Sequence, residues 1–139
     1  MKPTKGEGSP TPEAPGARMV RILLVDEDAN DLRLFSSLFQ QEGYAVRACD
    51  TQADALRWLE SEVFEFIIVS QGSRAFERRA VLKRANEIDR RLPVLVLARH
   101  ADVSCYIEAI QMGALDYFEK PLAPQEFLRL IKSHLHPRT

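Results

Sequence analysis

The chain has 139 residues, of which 45% are hydrophobic and 28% are charged, so it is long and apolar enough for one globular domain with a buried core. Its formal net charge of -1 attracts neither nucleic acid nor an acidic membrane surface. The two cysteines, Cys49 and Cys105, lack the spacing of a zinc site or a disulfide scaffold. We find no membrane-helix or signal-peptide pattern and expect a cytoplasmic protein.

The N-terminal segment differs from the rest of the chain. Residues 1–19 hold four of the eight prolines and three of the six glycines, with almost no large apolar side chain. Such a segment cannot bury enough apolar surface to offset the entropy lost on ordering. We therefore predict a disordered tail over residues 1–19 and one folded domain over residues 20–136.

Within residues 20–136, strand-like apolar runs alternate with helix-like apolar stripes. This alternation predicts repeated βα units around a parallel sheet. The predicted strands are residues 22–25, 44–49, 64–69, 94–97 and 117–118. Five helices are predicted between and after them: one that starts near Asp28 or Asn30 and stops at Gly43, one capped by Thr51, one marked by Val81, Ala85 and Ile88, one over residues 102–112, and one opened by Pro124.

Polar residues follow several of these predicted strands. Asp26 and Glu27 follow the first strand, Ser70 ends the third, and Lys120 follows the fifth. In an open parallel sheet, functional side chains gather beyond the carboxyl ends of the strands. This spacing, together with the stretch at residues 113–122, resembles a response-regulator receiver domain of two-component signalling over residues 20–135. The resemblance implies an α/β, flavodoxin-like, doubly wound (βα)5 three-layer sandwich whose parallel five-stranded sheet has the order 2-1-3-4-5.

The sequence departs from the receiver pattern at the phosphoacceptor. In a receiver, an aspartate after the third strand binds the metal and accepts the phosphoryl group, but here that position is Ser70. A serine hydroxyl must be deprotonated before it attacks phosphorus, and we expect it instead to bond nearby backbone. Ala98 stands where the resemblance implies a threonine or serine hydroxyl, although the aromatic switch residue is present as Tyr117. We predict that Tyr117 packs statically on the last helix.

The acidic pair and the lysine leave two interpretations open. In a receiver the two acids hold Mg²⁺, so Asp26 and Glu27 could bind it weakly without the third carboxylate. Alternatively, Asp26 and Glu27 only cap the first helix and pair with Lys120. No cofactor is required under either interpretation. The resemblance also implies a cis bond between Lys120 and Pro121.

We therefore predict a pseudo-receiver: a non-enzymatic, phosphorylation-independent protein–protein interaction module. Its partner would be another signalling protein or a second copy of itself, contacted through helix 4, strand 5 and helix 5 (residues 102–135). Exposed apolar residues on the fourth helix would support such docking, whereas Ile107 and Ile110 could instead belong to the core. One alternative is a phosphorylatable or metal-binding receiver with an unusual site. Another is nucleic-acid binding by the basic third helix, with Arg74, Arg78, Arg79, Lys83, Arg84, Arg90 and Arg91, although interspersed acids favour a solvated face.

Overall fold

The computed structural model describes residues 19–73 and 75–135. The predicted disordered tail lies outside the described residues except for its last residue. Strands and helices alternate along the chain. The strands are β1 (Arg21–Val25), β2 (Ala45–Cys49), β3 (Phe66–Ser70), β4 (Val94–Ala98) and β5 (Asp116–Glu119). The helices are α1 (Ala29–Gln41), α2 (Gln52–Ser61), α3 (Arg79–Ile88), α4 (Val103–Gln111) and α5 (Pro124–His134). None of these helices is long and apolar enough to span a bilayer.

The strands form one parallel five-stranded sheet in the order β2-β1-β3-β4-β5. This order confirms the predicted doubly wound fold. The third strand begins at Phe66, two residues later than predicted. Phe64 is nevertheless buried, because it packs into the core from the preceding loop. A run of apolar residues in the sequence indicates which side chains are buried, and here the buried residues extend beyond the ends of β3.

Helices cover the sheet on both faces and enclose two hydrophobic cores. Successive residues of a strand point to opposite faces, so Leu23 lies in the core beneath α2, α3 and α4 while Leu24 lies in the core beneath α1 and α5. In the second core, the rings of Phe35 and Phe127 meet edge to face with centroids 4.8 Å apart. This contact joins α1 to α5 and fixes the helices that flank the carboxyl end of β1.

Local signals place the ends of the helices. The Asp28 carboxylate accepts hydrogen bonds from two backbone N–H groups in the first turn of α1, and Thr51 caps α2 in the same way. Gly43 and Gly113 follow α1 and α4 with φ of 91° and 101°, a conformation that glycine adopts without strain. The Lys120–Pro121 peptide bond is cis.

Candidate functional site at the carboxyl ends of the strands

The parallel register brings the carboxyl ends of β1, β3, β4 and β5 to one edge of the sheet. Ser70 pairs with Leu97, and Ala98 pairs with Glu119. Asp26 and Glu27 leave β1 at the same edge, and Lys120 leaves β5 there. Asp26 and Ser70 are buried, so most of this cluster is shielded from solvent.

Lys120 binds two carboxylates. Its Nζ lies 2.7 Å from Asp26 Oδ2 and 2.9 Å from Asp31 Oδ2, and the other oxygen of Asp26 accepts the N–H of Asp28 at 2.9 Å. Burial raises the pKa of Asp26, while the hydrogen bond from Lys120 opposes that rise. For Lys120, burial acts to lower the pKa, but the hydrogen bonds to Asp26 and Asp31 outweigh it, so the pKa is raised and the amine stays protonated.

This arrangement differs from the expected one at two points. The second carboxylate bound to Lys120 belongs to Asp31 of α1 and not to Glu27. The cap of α1 is Asp28, one of the two residues predicted to start that helix, and not the acidic pair. Both differences follow from the turn after β1, in which Asp26 points inward to the lysine while Asp28 turns back onto the helix.

Glu27 is bound by a hydroxyl and a guanidinium. Ser70 Oγ donates to Glu27 Oε1 at 2.8 Å, and Arg78 Nη1 lies 3.1 Å from the same oxygen. Ser70 Oγ also accepts the N–H of Gly72 at 3.2 Å, which is the expected bond to nearby backbone. Burial acts to raise the pKa of Glu27, but its own backbone N–H, the Ser70 hydroxyl and the charge of Arg78 together hold that pKa below its ordinary value.

Arg78 was not among the predicted site residues. It is the N-cap residue of α3, and its side chain is only 11% exposed. We assigned it to the basic third helix, because no sequence pattern distinguishes an arginine whose side chain points into the site from one that points into solvent. A second arginine, Arg99, lies at the rim, 3.0 Å from Asp28 and 3.9 Å from Glu27.

Tyr117 lies behind the site, on the side of the sheet covered by α3 and α4. It is buried in that core. The prediction that it packs on the last helix, α5, is therefore wrong. Its hydroxyl donates to Gln71 Oε1 and accepts the N–H of Asp102, at 3.2 Å, at the start of α4. Its ring meets that of Tyr106 edge to face, with centroids 5.8 Å apart. Ala98, at the end of β4, is fully buried and offers no hydroxyl.

Gln71 was also missed by the sequence. It follows β3 and is fully buried, and its amide nitrogen donates to the carbonyl of Ser73 at 2.8 Å. Its side chain thus connects the loop after β3 to Tyr117. A glutamine after a strand carries no sequence signal for such a role, because the contact depends on the path of the loop.

Three of the six described cations of the basic segment around α3, namely Arg78, Arg79 and Arg84, are paired with acids. Arg79 binds Glu108 of α4, and Arg84 binds both Glu60 and Glu87, while Arg74 lies outside the described residues. Pairing of this kind divides the positive charge among neighbouring helices.

The acidic pair as it stands does not fit Mg²⁺. Magnesium requires a near-octahedral shell of free oxygen donors, but both carboxylate oxygens of Asp26 and Oε1 of Glu27 already accept bonds from Lys120, Arg78, Ser70 and a backbone N–H. Within residues 19–73 and 75–135, no group of three or more acidic, histidine or cysteine side chains is arranged to hold a metal ion.

The sheet order and the cluster of acids, lysine and cis-proline define the receiver class of α/β domains. Comparison with known proteins gives the same answer, because the response regulator receiver domain family matches residues 22–132. The chain therefore belongs to the response regulator receiver domain family, the receiver part of two-component response regulators.

Known relatives extend this result. The chain is 30% identical over 121 residues to the phosphoglycerate transport system transcriptional regulatory protein PgtA of Salmonella typhimurium, covering 84% of this chain but 28% of that protein. It thus spans about a quarter of the length of that curated relative. A CheY-like receiver domain from Methanospirillum hungatei superimposes with a TM-score of 0.79 at 25% identity, covering 85% of this chain and 94% of that one.

A further similar structure is the beryllofluoride-activated NtrC4 receiver domain, which is described as a dimer. It has a TM-score of 0.74 and 24% identity, and the alignment covers 82% of this chain and 94% of the other. At this identity the similarity supports the fold alone.

Proposed function

We propose that this receiver domain is a cytoplasmic, non-enzymatic protein–protein interaction module whose contacts do not depend on phosphorylation. The observation that carries the proposal is the state of Tyr117. Its hydroxyl is hydrogen-bonded to Gln71 and to the start of α4 without a phosphoryl group. Since Ala98 supplies no hydroxyl to couple Tyr117 to a phosphoryl oxygen, its position is set by Gln71 and the N–H of Asp102.

The chemistry around Ser70 supports the same proposal. A serine nucleophile needs a neighbouring base whose pKa lies near the working pH. The nearest acceptor is Glu27, and burial, which would raise its pKa, is outweighed by hydrogen bonds and the charge of Arg78, which lower it. Glu27 is therefore a weak base for the Ser70 hydroxyl.

The surface of α4 is suited to docking. Val103, Tyr106, Ile107 and Ile110 are 74%, 45%, 46% and 38% exposed, and their spacing places them on one face of the helix. Ile107 and Ile110 are thus not core residues. A contiguous exposed apolar face of this kind is typical of interaction sites, and we propose that another signalling protein or a second copy of this chain binds here, together with β5 and α5.

Phosphorylation independence can be tested by amide NMR. Wild type and a Ser70→Ala variant are titrated with Mg²⁺ and then with beryllofluoride, a mimic of the phosphoryl group. We expect small and equal shifts in both proteins at Tyr117 and along α4. Large shifts at these residues in wild type, absent from Ser70→Ala, would show a responsive receiver with an unusual site and would contradict the proposal.

The docking surface has a matched test. Ile107→Lys places a charge in the centre of the α4 face, and Val63→Lys places one at an exposed valine outside α4 that is 76% exposed. If the partner is a second copy, sedimentation velocity should show a dimer for wild type and Val63→Lys and a monomer for Ile107→Lys. A dimer that survives Ile107→Lys would exclude α4 as the interface.

A further inference from the structure

We propose that the Arg78 guanidinium is a built-in cation that takes the place of a divalent metal at the carboxyl edge of the sheet and closes that site to Mg²⁺. The proposal concerns the charge balance of the site and goes beyond the docking function. It is carried by where the guanidinium lies, what it binds, and how the neighbouring loop makes room for it.

The guanidinium lies against the acidic pair. Arg78 Nη1 is 3.1 Å from Glu27 Oε1, the oxygen that also accepts the Ser70 hydroxyl at 2.8 Å. Arg78 Nη2 is 3.5 Å from the carbonyl of Asp50, beyond the end of β2. The cation therefore spans the space between the loops that follow β1, β2 and β3, where a metal bound to Glu27 would need to coordinate.

The loop after β3 is shaped around this side chain. Gly72 has a φ of 98°, and a Cβ added there would lie 3.1 Å from Arg78 Nη1 and 2.6 Å from an oxygen of Glu77. The carbonyl of Gln71 accepts the backbone N–H of Glu77 at 3.0 Å, which ties the end of β3 to the start of α3. Glycine at position 72 thus meets two requirements: the backbone conformation and the path of the guanidinium.

Three of the four carboxylate oxygens of the acidic pair already accept other donors. Asp26 receives the amine of Lys120 and the N–H of Asp28, and Glu27 receives Ser70 and Arg78. A divalent ion would have to displace these donors and lie beside a guanidinium of the same sign in a partly buried site, where repulsion is weakly screened. Arg78 Nε is also buried without a hydrogen-bond partner, so the guanidinium is oriented by its contacts at Nη1 and Nη2.

Mn²⁺ titration tests the proposal, because this ion broadens the NMR signals of nearby amides. The variants are Arg78→Met and Arg78→Gln, which remove the cation, and Arg79→Met, which removes the adjacent exposed arginine bound to Glu108. We expect no localised broadening in wild type or Arg79→Met. In the Arg78 variants we expect broadening at the amides of Asp26 and Glu27, with apparent Mn²⁺ affinity raised about tenfold or more, because removing one neighbouring like charge favours the ion.

The Mn²⁺ titrations of wild type and the variants distinguish a site closed by Arg78 from a site that is open to the metal. Localised broadening in wild type equal to that in the Arg78 variants would overturn the proposal, as would folded Arg78 variants that bind no more Mn²⁺ than Arg79→Met. If neither Arg78 variant folds, the wild-type titration decides: broadening at Asp26 and Glu27 overturns the proposal, and its absence supports it. This readout is independent of beryllofluoride shifts at Tyr117 and of docking on α4, so either proposal can fail alone.

Discussion

Replacing Lys120 with methionine tests whether this lysine is now a structural group. Methionine keeps an unbranched apolar side chain but removes the charge. Asp26 would keep only the N–H of Asp28, and its side chain is 2% exposed. Water therefore cannot replace the lost amine, and we expect a large loss of stability.

The magnitude follows from the distance and the burial. At 2.7 Å and an effective dielectric constant of about 20, the Coulomb attraction between Lys120 and Asp26 is about 6 kcal/mol before desolvation is subtracted. Because both side chains are buried, removal of one partner of such a pair costs about 3 to 5 kcal/mol. Domains of this size are stable by only about 5 to 15 kcal/mol, so the variant should approach its unfolding threshold.

Urea unfolding followed by circular dichroism measures this cost. The matched control is Lys132→Met, which breaks a surface pair with Glu42 at 2.7 Å and should cost less than about 1 kcal/mol. The double variant Asp26→Asn with Lys120→Met should recover part of the loss, because no buried charge is left unpaired. If Lys120→Met is no less stable than Lys132→Met, the argument for a structural ion pair is refuted.

Three further variants test the fold. The hydrogen bond from Arg47 outweighs burial and lowers the pKa of Glu62 below 4.5. The ionised Glu62 carboxylate therefore stabilises the folded protein above that pH, and this stabilisation is lost as the pH falls through the folded-state pKa. Urea unfolding curves of wild type and Glu62→Gln should converge under acid conditions. Phe127→Ala should cost about 3 to 5 kcal/mol in urea unfolding, and a loss under 1 kcal/mol would contradict the aromatic contact as a support of α1 and α5. Gly113→Ala should lower the melting temperature, because its φ is 101° and a Cβ would lie 2.5 Å from the Asn86 amide; an unchanged melting temperature would show that the turn relaxes.

Much of the fold could be predicted because local signals agree with the global pattern. The apolar runs of β3 and β4 are buried throughout, and the caps Asp28 and Thr51 begin α1 and α2 as the sequence indicates. The error in the start of β3 arose because Phe64 is buried without belonging to the strand. Sequence patterns report which side chains leave water, and strand boundaries depend also on backbone pairing.

The site could be predicted only in part, for a different physical reason. Parallel strands bring their carboxyl ends to one edge, so the convergence of Asp26, Ser70 and Lys120 follows from the order of elements. The positions of Gln71 and Arg78 depend on the loop after β3, whose shape is set by the positive φ at Gly72 and by contacts distant in sequence. No periodicity or propensity specifies such contacts.

The residues that depart from the receiver pattern are connected by charge. With serine at position 70, Asp26 is bound by Lys120 and Glu27 by Arg78, while Lys120 also binds Asp31 and Arg99 lies at the rim of the site. An aspartate at position 70 would add a carboxylate beside Glu27 Oε1, since Ser70 Oγ lies 2.8 Å from that oxygen, and would make the site more negative by one charge. Added carboxylate charge favours the binding of a divalent ion. Ser70 and Arg78 therefore act in the same direction: Ser70 leaves out a negative charge, and Arg78 adds a positive charge at the same site. Restoring the aspartate alone would still leave Arg78 in the way of the metal, and Ala98 without the hydroxyl that couples Tyr117 to a phosphoryl oxygen.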